Sequence, residues 1–460
     1  MPGITSYGGY VPRFMLERRA IADALGTPAR RGTRAVAGYD EDSTSMGVEA
    51  ARRTMSAAPG PPATLHFATS SPAYADKTNA NAIHAALRLS QGTFAADFAG
   101  AVRGAAGALR SAAASGGLAV LADVRTGRPA STDECDGGDG AAAFTFGHGD
   151  DVIAEIVGTA SATAEFLDRW RLPHEHVSRQ WEERFGAQAY APLTAAAIRA
   201  ALADAGIDRT DHVVVSSPHA RAAAAARGGL DGDHASAELD GLIGCAGAAQ
   251  VGLALADVLD RAQPGESILV ALAADGCDAW VLRVTDAIGE RRAADPIRGQ
   301  LDGRRAVAYN DYLTWRGQLE REPPRRPDPD RPAGPASART EPWKFGFVAS
   351  RCVSCAAVNL PPQRICVRCG AVDTMQQVSL ADDAGTIRTY TIDRLAYSLA
   401  PPVIDVVVDF DAGGRYQCEL TDARPEDVAV GGRVEMTFRR LYTAGGVHNY
   451  FWKATSGRRR

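Results

Sequence analysis

Lysine and long apolar runs are scarce in this chain of 460 residues. Only Lys77, Lys344 and Lys453 are lysines, so the other 47 of the 50 basic residues are arginines. The 55 acidic residues give a net charge of −5, which argues against a general nucleic-acid binder because such proteins are usually basic. No run of 18 or more apolar residues occurs, so we expect no transmembrane helix and no membrane partner.

The N-terminus lacks the basic and apolar regions of a secretory signal peptide. We therefore expect a cytoplasmic protein, in a compartment where thiols stay reduced. Apolar residues make up 45% of the chain and charged residues 23%, a composition that excludes wholesale disorder. A chain of this length suits two or three domains, because single cores rarely grow beyond about 250–300 residues.

Residues 1–288 alternate strand-like and helix-like segments, which predicts an α/β domain. Residues 96–146 and 240–284 repeat one order: a helix rich in small residues, a strand, a turn containing Gly and Asp, and a second strand. We interpret this as a duplicated unit, with the two helices at residues 100–114 and 244–262. The alternative is that Ala-rich helices resemble one another through composition alone.

Proline marks the end of this first part of the chain. Residues 289–342 form an arm and a Pro-rich linker, since the prolines between Glu322 and Pro335 exclude a regular helix or a central strand. Residues 343–380 contain clustered cysteines. Residues 381–460 contain five short alternating segments separated by Gly-rich turns, which predicts a small all-β barrel of the OB type.

Four of the eight cysteines form two C-x-x-C pairs ten residues apart, Cys352 with Cys355 and Cys366 with Cys369. Each pair can place two sulfurs on one tetrahedral zinc ion. A redox-active dithiol is the alternative, and the paired spacing argues against it. Four thiolate ligands leave no position for water, so the predicted zinc ion is structural and not catalytic.

The segment from Trp343 onward resembles the acyl-CoA-associated family that joins a rubredoxin-like zinc ribbon to an OB-fold. The resemblance depends on Trp343-Lys-Phe-Gly-Phe, the two cysteine pairs, Leu360-Pro-Pro, Gly385–Thr391, Ala400–Val403 and Val428–Phe438. It implies that the module accompanies thiolase-superfamily enzymes and helps to hold acyl-CoA. A thiolase partner is one expectation that follows.

The N-terminal part is similar to 3-hydroxy-3-methylglutaryl-CoA synthases and to ketoacyl synthase III. The matching segments are Asp97–Leu109, Gly138–Ala143, Asp168–His174, Arg184–Gly186 with Tyr190, Ser217-Pro218, Gly244–Leu259, Pro264-Gly265 and Tyr309–Gly317. The resemblance implies the duplicated, layered αβαβα thiolase fold, a homodimer, and a substrate or ligand that is a thioester of CoA or of an acyl-carrier protein.

The family's catalytic positions carry other residues in this chain. Val102 occupies the position of the nucleophilic cysteine, Ser70 that of the acid–base glutamate, and Ser216 that of the histidine. Cys245 occupies the position of an asparagine. Valine has no lone pair and cannot attack a thioester, so the resemblance predicts that condensation does not proceed through an acyl-cysteine at residue 102.

Several residues could take over the roles of the family's catalytic residues. Cys245 is the first candidate, because a thiol at a helix N-terminus has a lowered pKa; the alternative is that it is a small buried apolar residue. Ser216 and Ser70 could hydrogen-bond an acyl oxygen, and His219 could transfer protons. Two hypotheses follow: an enzyme with non-canonical acyl transfer or carbon–carbon bond chemistry, or a non-catalytic scaffold that binds acyl-CoA and partners an active thiolase.

Overall fold

The computed structural model describes residues 1–322, 324 and 329–457, which fall into two compact units. The first comprises Met1–Ala37, Asp42–Ile83 and Ser90–Tyr309. The second comprises Gly38–Glu41, His84–Leu89 and the chain from Asn310 onward. The linker predicted between Glu322 and Pro335 falls partly on residues 323 and 325–328, which lie outside the described residues. The domain boundaries expected from the sequence stay a prediction.

The first unit contains strands that mostly join one large sheet, and helices that cover it. The strands are β1 (Gly3–Tyr10), β2 (Phe14–Glu17), β3 (Thr33–Val36), β4 (Thr64–Thr69), β5 (Phe94–Ala99), β6 (Leu118–Val124), β7 (Asp139–Gly147), β8 (Ala154–Ala162), β9 (Arg169–Trp170), β10 (Arg179–Gln180), β11 (His212–Ser216), β12 (Ser267–Ala273), β13 (Cys277–Val284) and β14 (Arg305–Ala306). The helices are α1 (Arg18–Leu25), α2 (Ser43–Ser56), α3 (Ala80–Ala86), α4 (Gly104–Ser115), α5 (Thr132–Asp136), α6 (Glu183–Ala205), α7 (Ala220–Arg227), α8 (Leu239–Leu242) and α9 (Gln250–Leu259).

The large sheet has the order β11-β12-β13-β8-β1-β7-β6-β4-β5. At its two ends, β4 runs parallel to β5 and β6, and β11 runs parallel to β12. Its centre is antiparallel, with Gly3 of β1 opposite Gly147 of β7 and Tyr10 opposite Ala141. Parallel pairs need a crossover connection, and helices supply it, as α9 does before β12.

The duplication predicted from the sequence is confirmed by this arrangement. Helix α4 precedes the antiparallel pair β6 and β7, and α9 precedes the antiparallel pair β12 and β13. Both helices contribute to a single core cluster, α4 through Ala105 and Leu109 and α9 through Leu253 and Leu255. Small residues permit this close approach: a Cβ on Gly252 of α9 would lie 2.8 Å from the Cβ of Ala142 in β7.

Two helix boundaries differ from the sequence predictions. Helix α4 begins at Gly104 and not at residue 100. The predicted helix at 244–262 was wrong at its start, because Gly244 and Gly247 have φ values of +80° and +54°, which a right-handed helix excludes.

The second unit contains a small cysteine-bearing sheet and a closed barrel. The small sheet has the order β16 (Val358–Asn359), β15 (Val348–Cys352), β17 (Met375–Ser379), and the barrel consists of β18 (Gly385–Asp393), β19 (Val403–Phe410), β20 (Arg415–Thr421), β21 (Arg433–Ala444) and β22 (Val447–Thr455). The helices are α10 (Tyr309–Trp315), α11 (Gly334–Arg339) and α12 (Glu341–Gly346). The predicted five-stranded OB barrel is confirmed.

A buried ion cluster fixes one side of the barrel. The ammonium of Lys453, 1% exposed, lies 3.0 Å from a carboxylate oxygen of Asp40 and 2.6 Å from one of Glu419. Arg439, 2% exposed, pairs with Glu41 and Asp422. Burial alone would lower the pKa of Lys453, but the nearby Asp40 outweighs it and raises the pKa. Each buried charge thus has a partner, as the cost of burying an ion requires.

Among the residues that the structure describes, no helix has both the length and the apolar character needed to cross a bilayer.

The buried carboxyl group of Asp260 should make the stability of the protein depend on pH. Its carboxylate accepts hydrogen bonds from the Tyr7 hydroxyl at 2.9 Å and from the Ile297 amide at 2.8 Å, and burial raises its pKa to about 6. The folded state therefore binds a proton more tightly than the unfolded state. We predict that the stability of the wild type relative to Asp260→Asn falls by about 2–3 kcal/mol as pH rises from 4 to 7.

Denaturant titrations across that pH range test this prediction, with Asp208→Asn as the exposed control. The control should follow the wild type at every pH. Parallel curves for the wild type and Asp260→Asn would contradict the expected shift.

Candidate functional site

A small cavity of about 90 Å³ lies in the first unit, and we call it the Val102 cavity. Its lining residues come from segments that are distant in sequence and are Ser70, Gly100, Ala101, Val102, Arg125, Arg169, Trp170, Arg171, Ser178, Tyr190, Pro218 and Asp275. Val102 precedes α4, and Ser70 follows β4 directly. The sheet order places β4 next to both β5 and β6, so the segments after these strands meet at one edge.

Asp123, in β6, is the buried acceptor beside this cavity. One carboxylate oxygen accepts hydrogen bonds from the Ser70 amide at 2.7 Å, the Thr69 hydroxyl at 3.0 Å and the Ser71 hydroxyl at 3.0 Å. The other accepts from the Ser70 hydroxyl at 2.8 Å and from the Ala248 amide at 2.7 Å. A single side chain therefore connects the end of β4 to the turn that precedes α9.

Three guanidinium groups line the same cavity. Arg169 donates two hydrogen bonds to the Asp133 carboxylate, at 2.5 and 2.7 Å, and Arg125 lies 3.6 Å from that carboxylate. Arg125 also donates to the Ser70 hydroxyl at 3.1 Å. Arg171 donates to the Ser70 carbonyl oxygen. Burial alone would lower the pKa of Arg169, but the hydrogen bonds and charge of Asp133 outweigh it and raise the pKa. Burial lowers the pKa of Arg171.

The structure brings two of the sequence-predicted site residues to the cavity, Ser70 and Val102. Val102 is 6% exposed and belongs to the hydrophobic core cluster, so its isopropyl group forms an apolar part of the wall. The Ser70 hydroxyl already donates to Asp123 and accepts from Arg125. Its hydrogen is therefore already donated and is not free to bond a ligand.

Ser216 and His219 are not among the cavity's lining residues. Ser216 ends β11, and its buried hydroxyl has no hydrogen-bond partner among the described residues. The Nδ1 atom of His219 accepts from the Ala222 amide at 3.1 Å, and its Nε2 atom lies 2.9 Å from the Glu183 carbonyl oxygen. Both ring nitrogens of His219 are thus engaged in capping α7 and anchoring α6.

Cys245 does not lie at a helix N-terminus. It precedes a 3₁₀ turn at Gly247–Ala249, and α9 starts only at Gln250. Burial raises the pKa of its thiol, which opposes the lowering expected for a thiol at a helix N-terminus. Its sulfur donates a weak hydrogen bond to the Ser217 carbonyl oxygen at 3.6 Å, and it is absent from the cavity lining. A reactive role for Cys245 stays an untested prediction.

Asp275 is a lining residue that the sequence reasoning missed. It lies in the turn between β12 and β13 with a φ of +49°, a backbone conformation that is uncommon for residues other than glycine. Partial burial and the neighbouring charge of Asp168 raise the pKa of its carboxyl group. A strained backbone and a perturbed carboxyl group at a cavity are typical of functional positions. The turn containing Gly and Asp in the duplicated unit was the sequence feature that could have identified Asp275.

The four cysteines predicted as metal ligands do converge in the second unit. The Sγ atoms of Cys352 and Cys369 are 3.7 Å apart, those of Cys355 and Cys366 are 3.6 Å apart, and the four lie within 4.8 Å of one another. A tetrahedral ion with metal–sulfur bonds of about 2.3 Å needs sulfurs about 3.8 Å apart. Burial opposes ionisation of Cys352, but the backbone amides of Cys355 and Ser354 outweigh it and lower the pKa to about 6. The cluster could therefore hold a metal ion.

Residues 377–439, which run from strand β17 of the small sheet into strand β21 of the barrel, match the family described as the C-terminal OB-fold domain of ChsH2.

About two thirds of the chain is similar in sequence to hydroxymethylglutaryl-CoA synthases. One relative is the hydroxymethylglutaryl-CoA synthase of Aeropyrum pernix, 32% identical over 341 residues that cover 69% of this chain and 94% of the relative. Another is the hydroxymethylglutaryl-CoA synthase of Pyrococcus horikoshii, 31% identical over 68% of this chain and 95% of the relative.

Solved structures share the fold at lower identity. An HMG-CoA synthase complexed with CoA superimposes with a TM-score of 0.61 and 15% identity, over 68% of this chain and 89% of that chain. The HMG synthase of the curacin biosynthetic pathway, in complex with an acetyl donor acyl-carrier protein, gives a TM-score of 0.57 and 18% identity, over 68% and 88% of the two chains. These likenesses support the thiolase-like fold.

Asp123 gives a stability prediction. In Asp123→Asn an amide group replaces one acceptor oxygen, so buried donors such as the Ala248 amide lose their partner. We expect a loss of about 2–4 kcal/mol in the free energy of unfolding. Ser71→Ala, which removes one hydroxyl from the same network, should cost about 1 kcal/mol. Equal, small losses in the two variants, measured by denaturant unfolding, would contradict the central role of Asp123.

The cysteine cluster gives a second prediction. Purified protein should carry about one metal ion per chain, and Cys366→Ser should lose most of it because three thiolates bind the ion less tightly. Elemental analysis after dialysis measures the content. Cys418→Ser, a buried cysteine in the barrel outside the cluster, is the matched control and should keep its metal. Metal-free wild-type protein from zinc-supplemented cells would exclude the site.

Proposed function

Because this chain belongs to the hydroxymethylglutaryl-CoA synthase family, we propose that its first unit binds acyl thioesters of CoA or of an acyl-carrier protein at the Val102 cavity. The observation that carries this proposal is the cavity itself, which places an apolar wall at Val102 beside three guanidinium groups. The ligands of two structural neighbours, CoA in one and a donor acyl-carrier protein in the other, support the thioester class.

The proposed reaction does not form an acyl-cysteine. Valine at position 102 cannot attack a thioester, and none of the described lining residues is a cysteine. The Cys245 thiol has a raised pKa, which disfavours the nucleophilic thiolate at neutral pH. The chemistry we propose on the bound thioester is therefore the formation or cleavage of a carbon–carbon bond without a covalent acyl-enzyme, or a non-canonical acyl transfer.

The cavity offers the groups that such a reaction needs. Carbon–carbon chemistry next to a thioester develops negative charge on the thioester oxygen, and fixed positive groups stabilise that charge. Arg125 supplies such a charge. Asp275 supplies a carboxyl group at the cavity, which we propose transfers the proton; partial burial and the charge of Asp168 raise its pKa. Ser70 orients Arg125 through the hydrogen bond between them.

A non-catalytic scaffold is the second candidate. The replacement of the cysteine, glutamate and histidine positions by Val102, Ser70 and Ser216 favours it. So does the match of the barrel to the ChsH2 OB-fold domain, because the sequence resemblance associates such modules with thiolase partners. In this case the chain would bind acyl-CoA while a separate thiolase supplied the nucleophile. A homodimer is expected under both candidates.

We further propose zinc as the ion of the four-cysteine cluster. Four thiolates in tetrahedral spacing are the usual donor set of structural zinc. The cysteines would hold the turns of the small sheet β16-β15-β17 together, and the ion would supply stability and no step of the reaction.

Mass spectrometry of the purified chain with a panel of acyl-CoAs tests the enzymatic proposal. We expect turnover or cleavage products without a covalent adduct on the protein, and we expect Cys245→Ala to keep this activity. Asp275→Asn should lower the turnover rate by about 100-fold, the usual contribution of general acid–base catalysis.

Two results would change the assignment. An acyl adduct on Cys245, lost in Cys245→Ala, would replace the non-covalent route by a relocated nucleophile. Binding of acyl-CoA without turnover, followed by turnover when a thiolase is added, would favour the scaffold.

A further inference from the structure

We propose that the hydroxyl group of Tyr190 is a catalytic hydrogen-bond donor of the Val102 cavity. It would stabilise the oxyanion of an enolised acyl thioester, next to the carboxyl group of Asp275 that transfers the proton. The inference rests on the proposed function, because it assigns a further residue to the reaction proposed for the bound thioester.

The first argument is the position of the Tyr190 side chain. Tyr190 lies within α6, is 1% exposed and lines the cavity. Its ring packs perpendicular to that of Phe166, with the centroids 4.9 Å apart, and lies 5.8 Å from the ring of His219. Neither neighbour is among the described lining residues, whereas Asp275, which contacts the hydroxyl group, is one of them. The hydroxyl end of the side chain is therefore the part that faces the cavity.

The second argument is a hydrogen atom that has no acceptor. The Tyr190 oxygen accepts a hydrogen bond from the Asp275 amide at 3.2 Å. Among the residues that the structure describes, no group accepts a hydrogen bond from the Tyr190 hydroxyl. The Ser70 hydroxyl, by contrast, already donates to Asp123. Because a buried donor without an acceptor is costly, an oxygen atom of a ligand in the cavity would complete the hydrogen bonding of Tyr190.

The third argument is the chemistry of this donor. Burial raises the pKa of Tyr190, so the hydroxyl group stays protonated at neutral pH. The hydrogen bond from the Asp275 amide polarises the hydroxyl group and strengthens it as a donor. Fixed donors aimed at the place where negative charge develops are what stabilisation of an oxyanion requires.

The packing of α6 holds the hydroxyl group in place. Gly186 lies one turn before Tyr190 on the same side of the helix. A Cβ on Gly186 would lie 2.3 Å from a carboxylate oxygen of Asp168 and 2.8 Å from the ring of His219. The helix backbone therefore lies directly against these two side chains. A donor fixed in this way needs no reorganisation when the oxyanion forms.

Tyr190 and Asp275 would act in one step. The Asp275 carboxylate removes a proton from the carbon next to the thioester carbonyl, the electron pair of that bond forms a carbon–carbon double bond, and the carbonyl π electrons move to the oxygen. The Tyr190 hydroxyl donates a hydrogen bond to this oxygen and keeps its own proton. Return of a proton from Asp275 to the carbon restores the thioester, so the step needs no further reactant.

Hydrogen exchange into acetyl-CoA tests this step on the full-length chain. In deuterium oxide, we expect the wild type to incorporate deuterium into the acetyl methyl group, which proton NMR measures. Tyr190→Phe removes only the hydroxyl group. It should lower the exchange rate by at least about 100-fold and the affinity for acetyl-CoA by no more than about threefold, because the hydrogen bond is stronger in the transition state.

Infrared spectroscopy separates a catalytic donor from a residue that only positions Asp275. We use acetyl-CoA labelled with carbon-13 at the carbonyl group. Its bound carbonyl stretch should lie at a lower frequency in the wild type than in Tyr190→Phe, because a hydrogen bond to the oxygen weakens the carbonyl bond. Asp275→Asn should slow the exchange but keep the wild-type frequency. Tyr397→Phe, which alters an exposed tyrosine of the second unit, is the control and should match the wild type in all three measurements.

Thermal unfolding of each variant checks that it is folded, and the remaining outcomes are distinct. An unchanged exchange rate or carbonyl frequency in Tyr190→Phe would overturn the inference. A loss of affinity as large as the loss of rate would assign the hydroxyl group to substrate binding and overturn its catalytic role. Binding of acetyl-CoA by the wild type without exchange would overturn the inference, leave the proposed thioester binding intact and favour the scaffold. Failure to bind acetyl-CoA or free CoA would overturn the proposed function as well.

Discussion

A buried carboxylate, Asp123, is the constraint on which the candidate site depends. It lies in β6 and gathers hydrogen bonds from the loop after β4 and from the turn before α9. The geometry of that turn allows no side chain at Gly247, where a Cβ would lie 2.1 Å from an Asp123 oxygen. The cavity wall at Ser70 is thereby fixed relative to the second half of the duplicated unit. The cost of leaving buried donors unpaired makes this arrangement rigid.

Rigidity of this kind matters because three guanidinium groups line the cavity side by side. Partly buried guanidinium groups next to one another repel, and they remain in place only if the surrounding structure holds them. Arg125 is held by the Ser70 hydroxyl and by its backbone amide, which donates to Asp139 at 2.8 Å. The cavity therefore has a hydrocarbon, the Val102 side chain, beside fixed cations. Such a site suits stabilisation of an anion better than covalent attack.

Local patterns in the sequence predicted more of this molecule than its long-range contacts. The spacing of Cys352, Cys355, Cys366 and Cys369 predicted their convergence, because each pair lies within one turn. The alternation of short strands predicted the barrel. The start of α9 was misplaced because glycines at 244 and 247 take left-handed conformations that composition does not reveal. The approach of Arg171 to Ser70 was not predictable, because it arises from a sheet that joins segments a hundred residues apart.

The ion cluster of the second unit has a consequence for how the chain can be divided. Asp40 and Glu41 belong to that unit, although all of it beyond Gly38–Glu41 and His84–Leu89 begins almost 270 residues later, at Asn310. A fragment made only of the C-terminal part would keep the cations of Lys453 and Arg439 and lose two of their anions. Uncompensated ions inside a barrel are costly to bury. The C-terminal part therefore does not contain all the residues of its own barrel interior. A gene truncated at the linker would encode a barrel that lacks the buried carboxylates of Asp40 and Glu41.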